Sequence, residues 1–592
     1  MPPPARQVED MGADGPYVLL DDARPGGIAR LYRDPARVLV ASAPGEVAGV
    51  LDAIRDGLSD GLHAAGFLAY GAGAAFEDRA PASPGDPLAW FGLFERVEPF
   101  DPAALPDPRS VWVGPAEPGI DFATYAARLD EVLALIRAGD IYQANLTFPA
   151  SARVIGNPLA AYARLRAASA AGWGAVVSTG EAVHLSLSPE LFFSLEAGRL
   201  TARPMKGTAP RDPDPAADRA AAEALAADPK QRAENLMIVD LMRNDLSRVA
   251  VAGSVKVPRL FEVERYPTVH QMTSTVEATL APGRDAVDVM AALFPCGSIT
   301  GAPKLRAMQA IDAIEGSPRG LYTGAIGHFA PEGDAAFNVA IRTLTLPKGS
   351  DRATLGLGSG IVADSRAPDE WNECLAKGAF LTRGARAFDL IETMRFDPRE
   401  GVLLLERHLA RMRESAATFG YPFDRHAVRN ELQAATFRLR EGARVRLMLS
   451  PGGAVAIETS LLPPTRPEPW RVAVVPLPVD PADFRLRHKT SDRRFYDAAR
   501  GNADEVVFVD PDGFVTEGSF TSLFVERDGV LLTPPATLGL LPGILRAELI
   551  ESGRAVEHEL TLADLSGGFL LGNALRGLVS AVTVAASQTT SV

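Results

Sequence analysis

Short apolar runs alternate with amphipathic helical patterns along the first two thirds of the chain. The runs RVLVAS and GFLAYGAGAAF flank GEVAGVLDAIRDGL, whose apolar spacing predicts a helix. Beyond them, FATYAARLDEVLALIRAG predicts a helix, AVVSTG, AVHLSL and ELFFSLEAG predict strands, and one long helical region is expected from Asp218 to Val249. Strands return at GLYTGAIGHFA and FNVAIRTLTL. This mixture predicts an α/β or α+β fold.

A second series of elements begins near Ala385. PDEWNECLAKGAFLTRGA predicts a closing helix, and FDLIETMRFDPREGVLLLERHLARM then begins a strand–turn–strand–helix pattern. A proline-rich stretch, EPFDPAALPDPRSVWVGPAEPG, marks a surface connection around residue 110. We therefore divide the chain into residues 1–110, 111–383 and 384–592, with the first segment an N-terminal part of the unit that the second completes.

Charge and composition exclude several classes of protein. The formal net charge is −14 and there is no basic tract, so no nucleic-acid partner is expected. No apolar run is long enough to span a bilayer, and the first residues lack the basic end and apolar core of a secretory signal. The only cysteines, Cys296 and Cys374, exclude a disulfide framework. We expect a cytoplasmic enzyme without a membrane partner.

Lysine is rare, which makes each lysine a candidate chemical group. Only seven of the 60 basic residues are lysines. Two of them are Lys206, in RPMKGTAPR, and Lys489, in RLRHKTSDRRFYDAAR. An amine can lose its proton and attack carbon, whereas a guanidinium essentially cannot. We expect burial and nearby cations such as Arg203 or Arg211 to lower the pKa of the Lys206 amine.

Two acidic helices offer ligands for a hard metal ion. Glu234 begins a run, RAENLMIVDLMRNDLSR, that is apolar almost all round and so predicts a buried helix. In DEWNECLAK, the residues Glu370, Glu373 and Lys377 share one helix face. Two such glutamates brought together would suit Mg²⁺. Taken alone, this spacing fits a solvent-exposed helix face, on which the glutamates pair with Lys377, better than it fits a metal site.

The motifs of residues 120–383 resemble the chorismate-utilising enzymes, and among them component I of the aminodeoxychorismate synthases. They are SPELFF, RPMKGTAPR, AENLMIVDLMRNDLSRVAVAGSVKVP, VHQMTSTV, FPCGSITGAPKLRAMQAI, NVAIRTL and GSGIVADSRAPDEWNECLAK. The resemblance implies a large two-sheet α/β sandwich that binds chorismate and Mg²⁺. It also implies that a separate glutamine amidotransferase supplies ammonia.

The resemblance assigns roles to particular residues. Lys206 would attack C2 of chorismate, Glu190 would be the general acid or base, and Glu234 and Glu373 would hold the metal with Glu370 behind them. The implied substrate contacts are His270, Thr300, Tyr322, Arg342, Gly358 and Gly360. Isochorismate and salicylate synthases, in which the lysine activates water, are the alternative. An anthranilate synthase-like activity is disfavoured because those enzymes lack this lysine.

The last 200 residues resemble the fold type IV pyridoxal-phosphate enzymes, which are built of two α/β subdomains and include aminodeoxychorismate lyase. The resemblance is carried by the Lys489 region together with VTEGSFTSLFV, LGLLPGILRAEL and LLGNALRGLVSA. It implies that Lys489 binds the cofactor covalently and then moves a proton. Glu517 would pair with the pyridine nitrogen, and the phosphate contacts would be Arg411 and the backbone N–H groups of Ile544 and Leu545.

Two departures from this family pattern concern the cofactor site. The family usually has a hydroxyl residue at the position of Leu545 and an asparagine at that of Ser522. The two halves together predict the synthesis of 4-aminobenzoate, a folate precursor, from chorismate and ammonia in two steps. The alternatives for the second half are a class IV aminotransferase and an inactive scaffold. Fold type IV also suggests a homodimer.

Overall fold

A computed structural model describes residues 15–77, 80, 87–266, 269–464, 469–501 and 503–584 of the 592-residue chain. The beginning of the chain, where no secretory signal was expected, lies largely outside the described residues. The described residues fall into two compact units. The first extends to Gly384 except for residues 155–157, which group with the second, and the second runs from Ala385.

The first unit contains two large sheets. Sheet I has eleven strands. In spatial order they are Gly301–Ala302, Gln143–Ile155, Arg352–Ile361, Thr343–Pro347, Ala182–Ser188, Trp173–Ser178, Tyr17–Asp21, Ala29–Arg33 and Glu98–Phe100, with Trp112–Val113 and Glu117–Pro118 beside Gln143–Ile155.

Sheet II has ten strands, and both sheets draw strands from the first hundred residues. Its spatial order is Met205–Pro210, Val269–Thr279, Arg199–Arg203, Leu191–Glu196, Ala335–Val339, Ala325–Phe329, His63–Leu68, Ala89–Phe94 and Arg37–Ala41, with Lys256–Arg265 beside Val269–Thr279.

The two sheets pack face to face. Val18 and Tyr32 of sheet I share a buried apolar cluster with Phe67 and Trp90 of sheet II. Helices cover the outer faces, as the cluster joining Tyr125 to the strand Gln143–Ile155 illustrates for sheet I. The predicted two-sheet α/β sandwich is confirmed.

Eight α-helices are described in this unit. They are Pro44–Ser59, Phe122–Arg137, Pro158–Ser169, Pro215–Ala227, Pro229–Ser247, Ala286–Leu293, Lys304–Glu315 and Ala367–Gly378. Short 3₁₀ turns lie at Tyr70–Ala75, Pro102–Ala104, Gly297–Ile299 and Ala379–Leu381.

The helical region expected from Asp218 to Val249 consists of two helices, because the chain breaks at Asp228. That residue is extended and its carboxylate accepts the backbone N–H groups of Lys230 (2.8 Å) and Gln231 (3.0 Å). Pro229 follows at the first helical position, where its missing N–H costs nothing. Asp228 therefore starts a new helix that carries Glu234.

The second unit contains two smaller sheets. Sheet III is antiparallel, with strands in the order Gly401–Val402, Leu390–Asp397, Ala443–Leu449 and Val455–Leu461. Sheet IV is mixed, in the order Glu505–Val509, Trp470–Pro476, Gly577–Val584, Phe569–Asn573, Ser522–Arg527, Val530–Thr533 and Ala555–Glu557.

Helices flank both of these sheets. They are Leu405–Phe419, Arg425–Thr436, Phe484–Arg487, Arg494–Arg500 and Ile544–Glu551, with 3₁₀ turns at Ala536–Leu538 and Leu562–Leu565. None of the helices in the described part of the chain combines the length and apolarity that a membrane crossing requires.

Replacing the capping residue tests the break at Asp228. We expect Asp228→Ala to lower the free energy of unfolding by about 1 kcal/mol, because two backbone N–H groups lose their acceptor. Chemical denaturation followed by circular dichroism measures this change. The exposed Glu223→Ala on the preceding helix is the control, and equal stability of the two variants would contradict the capping role.

Candidate functional site

Lys206 lies in a bulge of an edge strand of sheet II. The register between Met205–Pro210 and Val269–Thr279 shifts between Met205 and Thr208. Gly207 sits in this bulge with φ of +92°, a conformation that other residues rarely adopt. Bulges re-aim side chains, and here the shift falls at the lysine.

Lys206 lies within a mixed cluster of charged groups. Burial lowers the pKa of its amine, and the ammonium of Lys377 lowers it further, while Glu234, Glu190 and Glu373 act in the opposite direction. A lowered pKa makes the free amine available nearer to neutrality.

The cations expected to act on this lysine are engaged elsewhere. Arg203 forms an ion pair with Glu264, and Arg211 pairs with Asp218 at 2.7 Å. The prediction that burial and a nearby cation lower the pKa of Lys206 is confirmed, but the cation is Lys377. The helix that carries Lys377 packs against the strand Arg352–Ile361.

Three alternate residues of the strand Arg352–Ile361 are glycines, so other side chains can approach one face of its backbone closely. A Cβ on Gly356 would overlap the ring of Tyr322, and one on Gly358 would lie 2.6 Å from the Thr147 side chain. A Cβ on Gly360 would lie 2.8 Å from Nζ of Lys206 and 3.0 Å from Nε2 of Gln143. The predicted residues Gly358, Gly360, Tyr322 and Lys206 thus lie along one strip of backbone.

Gln143 is a site residue that the sequence interpretation missed. It is 1% exposed, and its Oε1 has no hydrogen-bond partner among the described residues. A buried amide oxygen without a partner is costly, which suits a group that meets a ligand. This role could not be predicted from the sequence, because it depends on the pairing of the strand of Gln143 with the strand that contains Gly360.

Glu190 is poised to hold or release a proton near neutrality. It is 5% exposed, and burial raises the pKa of its carboxyl to about 7. Oγ of Ser298 donates to its Oε1 at 2.7 Å and lowers the pKa, as the charge of Lys206 does. Ser298 belongs to the turn FPCGSITGAPK, and the sequence interpretation did not assign it a role.

The three predicted metal ligands are only partly brought together. Glu234 and Glu373 interact electrostatically with each other and with Lys206. Glu373 also pairs with Nζ of Lys377 at 2.7 Å, whereas Glu370 accepts a hydrogen bond from Oγ of Ser365 at 2.7 Å. Within the described ranges, no group of three or more metal-ligating side chains could hold an ion. Two carboxylates would fit Mg²⁺ if substrate and water oxygens completed its shell.

Arg342 is available to bind a ligand, whereas the hydroxyl of Thr300 is already hydrogen-bonded. Burial lowers the pKa of Arg342, its φ is +49°, and no described acidic side chain pairs with it. A buried guanidinium on strained backbone suits an anionic ligand. Thr300 is 0% exposed and its hydroxyl donates to Cys296 O at 3.1 Å, so it holds its own turn.

His270 is held on one side by an acidic partner. It is 0% exposed, and its Nε2 lies 2.8 Å from Asp218. Its Nδ1 is buried and has no hydrogen-bond partner among the described residues, so the substrate contact expected there stays a prediction. Nε2 of the neighbouring Gln271 donates to the Gly207 carbonyl oxygen, in the bulge beside Lys206, at 2.8 Å.

A cavity of about 330 Å³ in the second unit contains Lys489. Burial lowers the pKa of the lysine amine to about 7, and the positive charge of Arg411 contributes. Arg411 donates to both carboxylate oxygens of Glu392, at 2.8 and 2.7 Å, and to Pro542 O at 2.8 Å. The predicted phosphate-binding arginine is thus fixed at the cavity wall by a partner that the sequence interpretation missed.

Glu517 lies in the same cavity and is held from two sides. Its Oε1 accepts from the Tyr496 hydroxyl at 2.7 Å and its Oε2 accepts from the Leu541 N–H at 3.1 Å. Burial raises the pKa of Glu517 to about 7. A carboxylate so placed can stabilise a protonated ring nitrogen.

The start of the helix Ile544–Glu551 forms a cradle for an anion. Gly543 precedes it, and the first backbone N–H groups, including those of Ile544 and Leu545, have no partner within the helix. A Cβ on Gly543 would collide with the Ser522 hydroxyl. Ser522 therefore brings a hydroxyl to this helix start, where Leu545 lacks one.

Family comparisons agree with this division into two sites. The family model described as chorismate binding enzyme matches residues 18–383. The chain belongs to the chorismate-binding enzyme family. The model described as amino-transferase class IV matches residues 389–584, so the second unit has the class IV aminotransferase fold.

Two relatives and one solved structure place the first unit more finely. The chain is 46% identical over 253 residues to aminodeoxychorismate synthase component 1 of Salmonella typhimurium, covering 43% of this chain and 55% of that protein. It is 42% identical over 315 residues to the aminodeoxychorismate synthase of Streptomyces griseus, covering 52% and 43%. The chain spans about half the length of these curated relatives. Anthranilate synthase component I from Streptococcus pneumoniae superposes with a TM-score of 0.51 at 27% identity, covering 63% and 93%.

The donor sets fit the cofactors of these two families. Chorismate-binding enzymes typically depend on Mg²⁺, and class IV aminotransferases use pyridoxal phosphate. Glu234 and Glu373 would hold the ion. Lys489, Glu517 and the cradle at Gly543 match the aldehyde, the ring nitrogen and the phosphate of pyridoxal phosphate in chemistry.

The hydrogen bond from Ser298 makes the titration of Glu190 testable. We expect Ser298→Ala to raise the pKa of Glu190 above its value of about 7, because the charged form loses a donor. Infrared titration of the carboxylate band, with Glu190→Gln to identify that band, measures the change. The exposed Ser59→Ala, at the end of the helix Pro44–Ser59, is the control, and an unchanged or lower pKa would contradict this account.

Proposed function

We propose that this chain makes 4-aminobenzoate in two steps, one in each unit. The first unit would convert chorismate and ammonia to 4-amino-4-deoxychorismate and water. The second would split that product into 4-aminobenzoate and pyruvate. The observation that supports the proposal most is the position of Lys206, a half-buried lysine whose amine interacts with Glu190, Glu234 and Glu373.

In the first step, the free amine of Lys206 would attack C2 of chorismate. Both ring double bonds then shift by one position, to C1=C6 and C4=C5, and the C4 hydroxyl leaves as water with a proton from Glu190, whose pKa of about 7 suits a proton donor. Ammonia attacks C4, both double bonds return and the bond from C2 to the lysine breaks. Magnesium, held by Glu234 and Glu373, would supply Lewis-acid assistance to the leaving hydroxyl.

Substrate carboxylates require cations in the same unit. The buried guanidinium of Arg342 has no acidic partner among the described residues and is proposed to bind one of them. Because Gly358 and Gly360 carry no side chains, the ring of chorismate would be able to approach the backbone of their strand. The relatives named aminodeoxychorismate synthase component 1 support a separate glutamine amidotransferase as the source of ammonia.

In the second step, Lys489 would remove the C4 proton of aminodeoxychorismate and later return a proton to the departing enolpyruvate. The pKa of its amine, about 7, suits both transfers. Bound pyridoxal phosphate would supply the electron sink, which Glu517 supports by pairing with the ring nitrogen. Loss of pyruvate makes the ring aromatic, which drives the reaction.

Two lysine variants of the full chain separate the steps. With chorismate, MgCl₂ and an ammonium salt, we expect 4-aminobenzoate and pyruvate from the unaltered chain. Lys206→Ala should lower the first step at least about a thousandfold because the nucleophile is lost, yet still convert supplied aminodeoxychorismate. Lys489→Ala should accumulate aminodeoxychorismate. Product identification by liquid chromatography with mass spectrometry measures all three.

Lys256→Ala, an exposed lysine on an edge strand of sheet II, is the matched control. Salicylate, isochorismate or anthranilate as the product would contradict the proposed synthase. Aminodeoxychorismate that accumulates in the unaltered chain loaded with cofactor would contradict the proposed lyase.

A further inference from the structure

The cavity around Lys489 carries more positive charge than a cofactor phosphate requires. Among the described residues that line it, Glu517 is the single carboxylate. The arginines of the lining are Arg411, Arg444, Arg493, Arg500 and Arg576. Five guanidinium groups and one carboxylate in the lining of one cavity favour an anionic occupant besides the cofactor.

The phosphate cradle accounts for only one end of the cavity. Arg411 lies there and is already paired with Glu392. The helix start at Gly543 adds backbone donors. Arg500, at another part of the lining, pairs with Asp497 at 2.9 Å. Arg576 stacks over the rings of Trp470 and Phe520. The remaining lining arginines are Arg444 on sheet III and Arg493 at the start of the helix Arg494–Arg500.

One face of sheet III presents arginines towards this cavity. Arg444 and Arg446 are two residues apart on the strand Ala443–Leu449 and so point to the same face. Arg446 pairs in register with Thr393, and both Thr393 and Arg444 line the cavity. The charge of Arg446 also lowers the pKa of Lys489, as expected for a neighbour.

The guanidinium groups on this face are poorly satisfied. Nε of Arg444 and Nε of Arg446 are buried and have no hydrogen-bond partner among the described residues. Arg444 has one loose ion pair, with Glu458 at 3.7 Å. Guanidinium groups pair well with carboxylates through two parallel hydrogen bonds, which this face leaves available.

A third guanidinium is fixed on the side of Glu517. Arg493 packs over the ring of Tyr496 at 4.2 Å, and Tyr496 donates to Glu517. Its Nη2 donates to Ser519 O at 2.9 Å, while its Nη1 is buried without a partner in the described part of the chain. The positive charge of Arg493 lowers the pKa of Glu517, so the two groups are near each other.

We propose that Arg444, Arg446 and Arg493 recognise a substrate that carries two carboxylates. The assignment rests on the proposed function of the second unit and names its specificity. Aminodeoxychorismate has a ring carboxylate and an enolpyruvyl carboxylate, whereas an amino acid with an apolar side chain has one. A monocarboxylate would leave part of this cationic set unpaired, so the site selects against ordinary aminotransferase substrates.

Two unreactive probes test the second carboxylate. The first is 3-(carboxymethoxy)benzoate, with carboxylates on a 1,3-substituted ring and no amine, and the second is 3-methoxybenzoate, which lacks one carboxylate. Each is titrated into the full chain loaded with pyridoxal phosphate, and the shift of the cofactor absorbance reports binding at Lys489 alone. We expect the dianion to bind at least about tenfold tighter.

Arginine variants assign that difference to residues. We expect Arg444→Gln and Arg493→Gln each to weaken binding of the dianion about tenfold and to change binding of the monoanion less than about threefold. Arg429→Gln, an exposed arginine on the helix Arg425–Thr436, is the matched control. Arg493→Lys retains the charge and replaces Arg493→Gln if that variant does not fold. Equal affinities for the two probes, or equal losses for both in the variants, would overturn the assignment.

The result is separable from the proposed function. A chain that converts aminodeoxychorismate to 4-aminobenzoate but binds both probes equally would overturn only the carboxylate site. If no cofactor band forms, the proposed lyase fails. Calorimetric titration of the two probes, compared between the unaltered chain and Arg444→Gln, then decides the carboxylate site by the same criterion.

Discussion

The burial of a lysine amine beside charged groups is the constraint on which both sites depend. Removing an ammonium from water costs several kcal/mol, and the protein meets this cost by favouring the neutral amine. Lys377 assists at Lys206, and Arg411 assists at Lys489. The rarity of lysine in the chain follows the same logic, because arginine supplies positive charge without nucleophilic chemistry.

Backbone features deliver the amines to their places. The bulge at Gly207 turns Lys206 out of the strand, and Gly360 leaves room for its Nζ. A carboxylic acid in each site accepts a side-chain hydrogen bond, from Ser298 to Glu190 and from Tyr496 to Glu517. In both units the pKa of the acid is raised to about 7 by burial. Each site therefore combines an amine of lowered pKa with an acid that titrates near neutrality.

The sequence predicts the layered architecture and the lysines well, because long motifs and apolar periodicity are local signals. It misses features that depend on three-dimensional pairing. The hydrogen bond from Gln271 to the bulge at Gly207 depends on strand pairing, and the break at Asp228 depends on a side-chain cap within a helical pattern. The Ser522 hydroxyl at Gly543 comes from a distant strand, so no local pattern could reveal it.

The ionisation of the two lysines tests the account most directly. Competitive labelling with trace acetic anhydride across a range of pH, followed by peptide mass spectrometry of the cofactor-free chain, measures it at both positions together. The account predicts that Lys489 titrates near pH 7 and that the pKa of Lys206 lies below the ordinary value of 10.5. Titration of both amines at or above that ordinary value would contradict it, because both lysines would then be cations where the chemistry requires free amines.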